Sequence, residues 1–590
     1  MRDGRVWLKS LEGLHQVDVI LRRLDDSFCD PLELREDSQI GVAGLVQAAR
    51  LGHVAIANPL GCAVLDNPGL LAFLPGIARY LLGEDLKLPS VATWWCGQKR
   101  ERTFVLENLD KLVIKTIHRR RSYRSIFGAQ LTQHELQALR EKILQKPHLY
   151  IGQEMISFST APSLADSWVE PRHAVLRSFL VASDHGYVAL PGGLTRIAGE
   201  QGELVVSNKF GGLSKDTWVL SHEAVNYVSL WRQTTPDDVL PSINEPLPSR
   251  AADNLFWAGR YVERAESTAR LMRSIFLLRR ELRDATLGPP VAFLNNLLRA
   301  LTHLTSTYPG FVGEGAELLL KKPQAELRSL QMDKERAGSL AAVLVALSQT
   351  AMTVRDHWPT EMWRLIDGIQ SDWFNDLETP GFDKYRTQDR LDHLIMQLVA
   401  FGGLTSESMM REPGWIMIDI GRRLERGLSL ISLLRATLVP SQHDSLQKQL
   451  LETLLVICDS LNTYRRRYRS YMHLPTVLEL LLIDSDHPRS LAYQLNLLQQ
   501  HVTALPRASH SSRLTADQRC LLAAYTSLRL ADASQLAVLD KEEGLYRVLD
   551  DLLASQAESL WRLSDEISTN YFSHSRPCHQ LSPQLQDEDV

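Results

Sequence analysis

The feature that most constrains this chain is an abrupt change in its punctuation near residue 240. Between 234 and 248 it reads Thr-Thr-Pro-Asp-Asp-Val-Leu-Pro-Ser-Ile-Asn-Glu-Pro-Leu-Pro, four prolines in fifteen residues. Proline removes a backbone donor and holds the chain extended, so this stretch is expected to be a linker. Directly after it, residues 250 to about 285 run without proline until Gly288-Pro289-Pro290. With Ser249 as N-cap, that run predicts one helix about 50 Å long. Helical patterns continue over 323–358, 387–398, 414–438, 444–471, 489–505 and 515–567, so the second half reads as an all-α bundle. The tail from 575, ending Gln-Asp-Glu-Asp-Val, reads as disordered.

The half before the linker has short apolar runs instead: Val17-Asp18-Val19-Ile20-Leu21, Val54-Ala55-Ile56-Ala57 and Leu112-Val113-Ile114-Lys115. Asn-Pro, Pro-Gly and Gly-Gly turns separate them. Helical periodicity shows at 133–144 and more weakly at 70–82, where Pro75-Gly76 interrupts it. The expected fold class is therefore α+β multidomain: a mixed α/β unit over 1–233, a linker over 234–248, a helical bundle over 249–574 and a tail over 575–590. Arg5 to Leu11 reads as a strand already under way, so the chain is expected to begin inside a domain.

Charge and cysteine use narrow the function classes. A net charge of −5, from 65 basic and 70 acidic residues, lacks the bulk footprint of a nucleic-acid binder. Arg465-Arg466-Arg467-Tyr468-Arg469 is expected to be a solvated or ion-paired helix face. Six cysteines without Cys-x-x-Cys spacing support neither a disulfide framework nor a cysteine zinc site, which suits a reducing, cytoplasmic setting. No apolar run reaches the 18 residues of a membrane helix, and no secretory signal is expected.

Four local patterns carry possible chemistry. Gly259-Arg260-Tyr261-Val262-Glu263-Arg264 recurs as Gly421-Arg422-Arg423-Leu424-Glu425-Arg426, each inside a long helix. Helical spacing puts Arg260, Glu263 and Arg264 on one face, and likewise Arg422, Glu425 and Arg426. If both faces turn inward, the charges must pair, giving either a fixed ion-pair network or a site for a charged ligand. Glu-x-x-His pairs are absent from this half, so no metal is assigned there. Gly192-Gly193-Leu194-Thr195-Arg196 is echoed by Gly211-Gly212-Leu213-Ser214-Lys215, either oxyanion-binding backbone or two turns of a meander. Lys115 closes an apolar strand, where a cation either reaches a phosphate or is solvated. The Arg119-Arg120-Arg121 run behind it has no glycine to wrap phosphates but could hold them by charge. In Arg22-Arg23-Leu24-Asp25-Asp26, the residues Arg23, Asp25 and Asp26 suit an amine- or carboxylate-bearing substrate, or an ordinary ion-paired loop. No Walker A, dinucleotide, His-Glu-x-x-His or Gly-x-Ser-x-Gly pattern occurs.

Two families share these residues. The stretch Ser249 to Glu266, with Gly421 to Arg426 and Pro488 to Leu495, resembles the bacterial alpha-E domain, over about 248–575. Arg22 to Glu33, Pro89 to Cys96, Pro191 to Arg196 and Lys215 to Leu220 resemble the C-terminal part of circularly permuted ATP-grasp proteins. The resemblance implies carboxylate–amine ligase chemistry with ATP and Mg, through an acyl phosphate, on a small amino-acid or peptide-like substrate. A transglutaminase-like protease is the partner it implies. By the same resemblance Lys115 and Gln153 serve the nucleotide, as do Lys215 and Asp216 in the closing Gly-Gly-x-x-Lys-Asp-Thr-Trp pattern. Arg177 and Arg196 are expected near phosphates or the acyl phosphate. Where relatives read Arg-His-Val-Asp-Leu-Arg, this sequence has Arg172-His173-Ala174-Val175-Leu176-Arg177, with Val175 in the aspartate's place, and the acidic and Glu-Asn magnesium motif is expected upstream of Arg22. The chain is accordingly expected to be N-terminally truncated, with a binding or scaffold role as the alternative to catalysis.

Overall fold

The computed structural model describes residues 1–117, 125–165, 168–183, 186–206, 212–220, 246–282, 289–375, 384–441, 444–469, 471–506 and 513–572. Most of the linker, the Arg119-Arg120-Arg121 run and the tail from 575 lie outside them. The chain divides into two units. One holds residues 1–6 and 17–220; the other holds 7–16 and 246–572. The first is mixed sheet and helix and the second is helical, as the change in punctuation predicts.

Among its described residues the first unit contains four sheet regions, one of them the antiparallel hairpin Leu180–Ser183 and Gly186–Ala189. Val19–Leu21 pairs in parallel with Ala55–Ala57, over a small core of Val6, Cys29, Leu45, Ala48 and Val54. The second region is an antiparallel sheet ordered Thr93–Trp95, Tyr150–Glu154, Leu112–Thr116 and Ile126–Phe127. Leu112 and Ile114 face the helices Lys99–Glu107 and Gln133–Gln145 through Val105, Leu139 and Ile143. Gly152 lets the first of these helices close in, since a Cβ there would stand 2.7 Å from Val105 Cγ2. Gln133–Gln145 starts at a capping box in which Thr132 and Glu135 satisfy each other's backbone amides. Pro75 does not interrupt its helix but lies in the first turn of Leu74–Leu82, where a missing N–H costs nothing. The third region is ordered Leu213–Trp218, Gly192–Ile197, Trp168–Arg177 and Thr160–Ala165.

The helical unit is built on Ser249–Glu281 and Pro413–Thr437, which cross at two glycines. A Cβ on Gly259 would meet the Ile418 carbonyl oxygen at 2.2 Å, and one on Gly421 the Phe256 carbonyl oxygen at 2.1 Å. The crossing is thus nearly two-fold symmetric, each glycine seated on the other helix's backbone. Pro289–Thr305, Leu340–Thr353, Lys384–Ser408, Leu491–Ala504 and Arg547–Ile567 complete the layer around one apolar core. The hairpin Trp7–Ser10 and Gly13–Gln16 groups with these helices. Its Leu11 joins their core and donates its N–H to the Leu247 carbonyl at 3.1 Å.

Several helical expectations need correction. Ser249 is the first helical residue rather than the cap, which is Pro248, and its buried hydroxyl has no partner among the described residues. The 323–358 run breaks at 333–339, where Gly338 adopts φ +85° against the Thr305 carbonyl. The 444–471 run breaks at Asp459, with φ +54°, and the 515–567 run splits into three helices. No described helix is long and apolar enough to cross a membrane.

Candidate functional site

In the second sheet, register brings two expected nucleotide residues together. Val113 pairs with Gln153 and Lys115 with Ile151, so Lys115 and Gln153 project from one face, opposite Ile114. Lys115 Nζ donates to Gln153 Oε1 at 2.6 Å. Gln153 Nε2 donates to Thr93 Oγ1 at 3.1 Å, and that hydroxyl donates to the Val91 carbonyl at 2.9 Å. Gln153 is buried, and its amide is held by this relay in one orientation. An ammonium and an amide fixed side by side can meet a phosphate and a polar ring edge at once.

The third sheet sorts the remaining four residues by parity. Arg177 opposes Leu194, which opposes Asp216, while Arg196 opposes Val175 and Ser214. Arg177, Arg196 and Asp216 therefore share one face, and Lys215, opposite Thr195, takes the other. Lys215 Nζ donates to the Pro162 carbonyl, and Asp216 accepts from Trp218 Nε1 at 2.9 Å. Arg177 is exposed, its guanidinium 5.1 Å from the Phe179 ring centroid. Arg196 Nε is buried with no acceptor among the described residues. Gly192 and Gly193 lie within a strand, neither cradling an oxyanion nor turning. A Cβ on Gly193 would stand 2.7 Å from the Arg177 carbonyl oxygen, so the glycine serves close strand approach.

Of the proposed substrate residues, Arg23 and Asp25 are exposed while Asp26 is engaged. Its partner is Arg22, at 2.6 Å, and its other oxygen accepts from the Gly61 N–H at 2.8 Å. Arg22 also donates to the Asn58 and Pro59 carbonyls at 2.6 and 3.2 Å. Asp30, four residues on, is fully buried and accepts from the N–H groups of Leu32, Gly44 and Val46. Burial alone would raise its pKa; those amides hold it below the ordinary value.

In the helical unit the repeated motif closes on itself. Glu425 accepts from Arg260 Nε at 2.7 Å and from Arg264 Nε at 2.6 Å. Across the crossing, Glu263 accepts from Arg422 Nε at 3.1 Å and from Arg426 Nε and Nη2 at 2.9 and 2.6 Å. Each glutamate is thus clamped by the two arginines of the opposite helix. Burial works against ionisation of Glu263, but Arg426, Arg422 and Arg489 hold it at about 2; Arg264 and Arg260 likewise depress Glu425. Arg260 is 1% exposed and also donates to Ser564 Oγ at 3.0 Å. Its Nη2 has no hydrogen-bond partner among the described residues, and its guanidinium carbon lies 4.9 Å from the Trp257 ring centroid and 5.4 Å from that of Trp561.

The network extends past the six expected residues. Arg270 and Arg489 both bond Glu266 Oε1, at 2.8 and 3.0 Å, and Arg423 and His501 both bond Asp419 Oδ2, at 3.1 and 2.8 Å. The i,i+4 spacings Glu266–Arg270 and Asp419–Arg423 were available signals for this wider ring. Among the described residues no three His, Cys, Asp or Glu side chains gather as a metal site.

Comparison with known families agrees with both halves. The model for circularly permuted ATP-grasp type 2 matches residues 1–198. The Alpha-E model, described as a predicted alpha-helical domain with a conserved ER motif, matches 247–572. Glu263-Arg264 and Glu425-Arg426, at the helix crossing, are Glu-Arg pairs within that match. The uncharacterized protein Rv2567 of Mycobacterium tuberculosis is 34% identical over 584 residues, 96% of this chain and 64% of the relative. ML0605 of Mycobacterium leprae is 42% identical over 223 residues, 38% of this chain and 40% of its own, and sll0335 of Synechocystis is 39% identical over 218, covering 37% and 45%. The chain thus spans about two thirds or less of the length of these curated relatives. With over half its length matched, the chain belongs to the Alpha-E family, joined at its front to a region of circularly permuted ATP-grasp type 2.

Proposed function

We propose that the first unit is the nucleotide-handling part of an ATP-dependent carboxylate–amine ligase acting on an amino-acid or peptide-like substrate. The observation that carries this reading is the Lys115–Gln153 pair, a cation and an oriented amide held 2.6 Å apart on one sheet face. The buried, acceptor-free Nε of Arg196 adds a donor suited to an oxyanion, with Arg177 on the same face. In this reading the nucleotide supplies a phosphoryl group to the substrate carboxylate, and amine attack then expels phosphate. Lys115 meets phosphate oxygens, Gln153 the base, and the two arginines the carboxylate being activated. No residue is assigned to magnesium here: among the described residues no three His, Cys, Asp or Glu side chains gather to hold a metal. A transglutaminase-like protease as partner, and a cytoplasmic setting, belong to the same reading.

A binding or scaffold role is the second reading, favoured by the apolar side chains of Trp168, Leu176, Tyr187 and Trp218 that stand exposed on the strands of this unit. Thermal unfolding with Mg-ATP separates the two. The ligase reading expects Mg-ATP to raise the melting temperature of the wild type and not of Lys115→Ala. No shift in either, or an equal shift in both, removes the nucleotide site and leaves the second reading.

A further inference from the structure

The ion-pair network of the helical unit is not balanced. Seven guanidinium groups, those of Arg260, Arg264, Arg270, Arg422, Arg423, Arg426 and Arg489, face five carboxylates. One of the five, Asp459, has 62% of its side chain exposed, so its charge is largely screened by water. Three of the seven arginines stand beside empty space. A recess of about 50 Å³ is lined by Arg270, Arg426 and Arg489 together with Ser267, Ser429 and Cys458. Burial pushes the Cys458 thiol up to about 12, so it adds no negative charge to the recess. Glu266 is the carboxylate that draws the three arginines together, at 2.8 Å from Arg270, 3.0 Å from Arg489 and 4.0 Å from Arg426.

The recess adjoins a chamber of about 700 Å³, and Leu304 and Ser429 line both. The chamber's wall includes Arg264 and Glu425 of the network, Tyr308, Ser432 and Trp561. The hydroxyls of Ser267, Ser429 and Ser432 take no part in the hydrogen bonds found among the described residues. The recess has room for a few waters or one small oxyanion, and the chamber falls in the range of small-molecule sites. Guanidinium groups suit carboxylate and phosphate because their paired N–H donors match two oxygens.

We infer that the helical unit binds a small organic anion, its carboxylate or phosphate head in the Arg270–Arg426–Arg489 recess and its body in the adjoining chamber. The Glu-Arg repeats then have two duties: their glutamates lock the helix crossing, and the surplus arginine charge on one side receives the ligand. Ser429 stands at the junction and offers its hydroxyl to the head group. The aromatic faces of Tyr308 and Trp561 offer surface to the body. This site is separate from the nucleotide site and does not depend on it.

The test uses the full chain, with inorganic phosphate and succinate as probes against sodium chloride at matched ionic strength, read by thermal unfolding and calorimetry. Either probe should stabilise the wild type beyond chloride, and the stronger one identifies the head group. Ser429→Leu fills the junction without touching an ion pair, and Arg489→Met removes one recess charge. Each should weaken binding at least tenfold, while Lys115→Ala should bind the probe as the wild type does. Stabilisation no greater than in chloride would overturn the site. So would undiminished binding in a folded Ser429→Leu protein, whatever the fate of Arg489→Met, or a response lost in Lys115→Ala.

Discussion

Arg264 and Arg426 at the helix crossing and Arg177 and Arg196 on the third sheet are held in opposite ways. At the helix crossing, Arg264 and Arg426 each make two hydrogen bonds to one glutamate, and that glutamate is shared with a second arginine. On the third sheet, Arg177 is exposed against Phe179, and Arg196 keeps a buried Nε with no acceptor. The difference teaches how to separate charge that builds a fold from charge that awaits a ligand. A buried carboxylate clamped from two sides sets geometry, whereas a buried donor without an acceptor carries an unmet desolvation cost.

That comparison can be broken most forcefully at the glutamates. Glu263→Ala or Glu425→Ala leaves buried guanidinium groups unpaired, and either is expected to cost about 3–5 kcal/mol in denaturant unfolding followed by helical circular dichroism. A loss below about 1 kcal/mol would show that the clamp does not set the crossing. Gly421→Ala drives a methyl into the Phe256 carbonyl, so the helices must part; about 3 kcal/mol is expected in the same assay.

Acid probes the clamp without mutation. Glu263 is held at about 2 against an ordinary value of 4.5, so its stabilisation is complete above pH 4.5 and is lost as pH falls through 2. Stability of the wild-type helical unit should therefore decline across that window by roughly 2–3 kcal/mol from this group. Glu263→Gln should show a shallower slope there, and an unchanged slope would assign the acid sensitivity elsewhere. The smallest effect sharpens the contrast in the first unit. Arg22→Ala should cost about 1–2 kcal/mol, because it breaks the Asp26 pair and three carbonyl bonds, to Leu24, Asn58 and Pro59. The neighbouring Arg23→Ala should change stability by less than about 0.5 kcal/mol, since Arg23 is exposed.

Much of the architecture was legible because it depends on local pattern. The division near 240, the strand Leu112–Thr116 and the helix Gln133–Gln145 follow from proline placement, an apolar run and helical periodicity. The repeated Gly-Arg-x-x-Glu-Arg told of two charged helix faces, and left open whether they form a network or a site. Pairing across 165 residues, Arg260 to Glu425, shows that the two faces interlock, and no local spacing contains that fact. The breaks at Gly338 and Asp459 were hidden because a helical periodicity does not register a single left-handed residue. Parity hid the rest. Lys215 and Asp216 are adjacent in sequence yet face opposite ways, and which of Arg22 and Arg23 turns inward is fixed by the Asn58–Gly61 segment it meets.

The near two-fold crossing has a consequence for how the helical unit could be taken apart. Among the described residues each glutamate is bonded by arginines of the other helix, and each glycine is shaped to the other's backbone. A cut at 376–383, between the two motif-bearing segments, would leave two polypeptides that each hold half of a lock and none of its key. Neither should fold alone, and co-expression should restore both together. The Alpha-E unit is in that sense an intramolecular heterodimer whose halves recognise one another by charge and by the absence of two side chains.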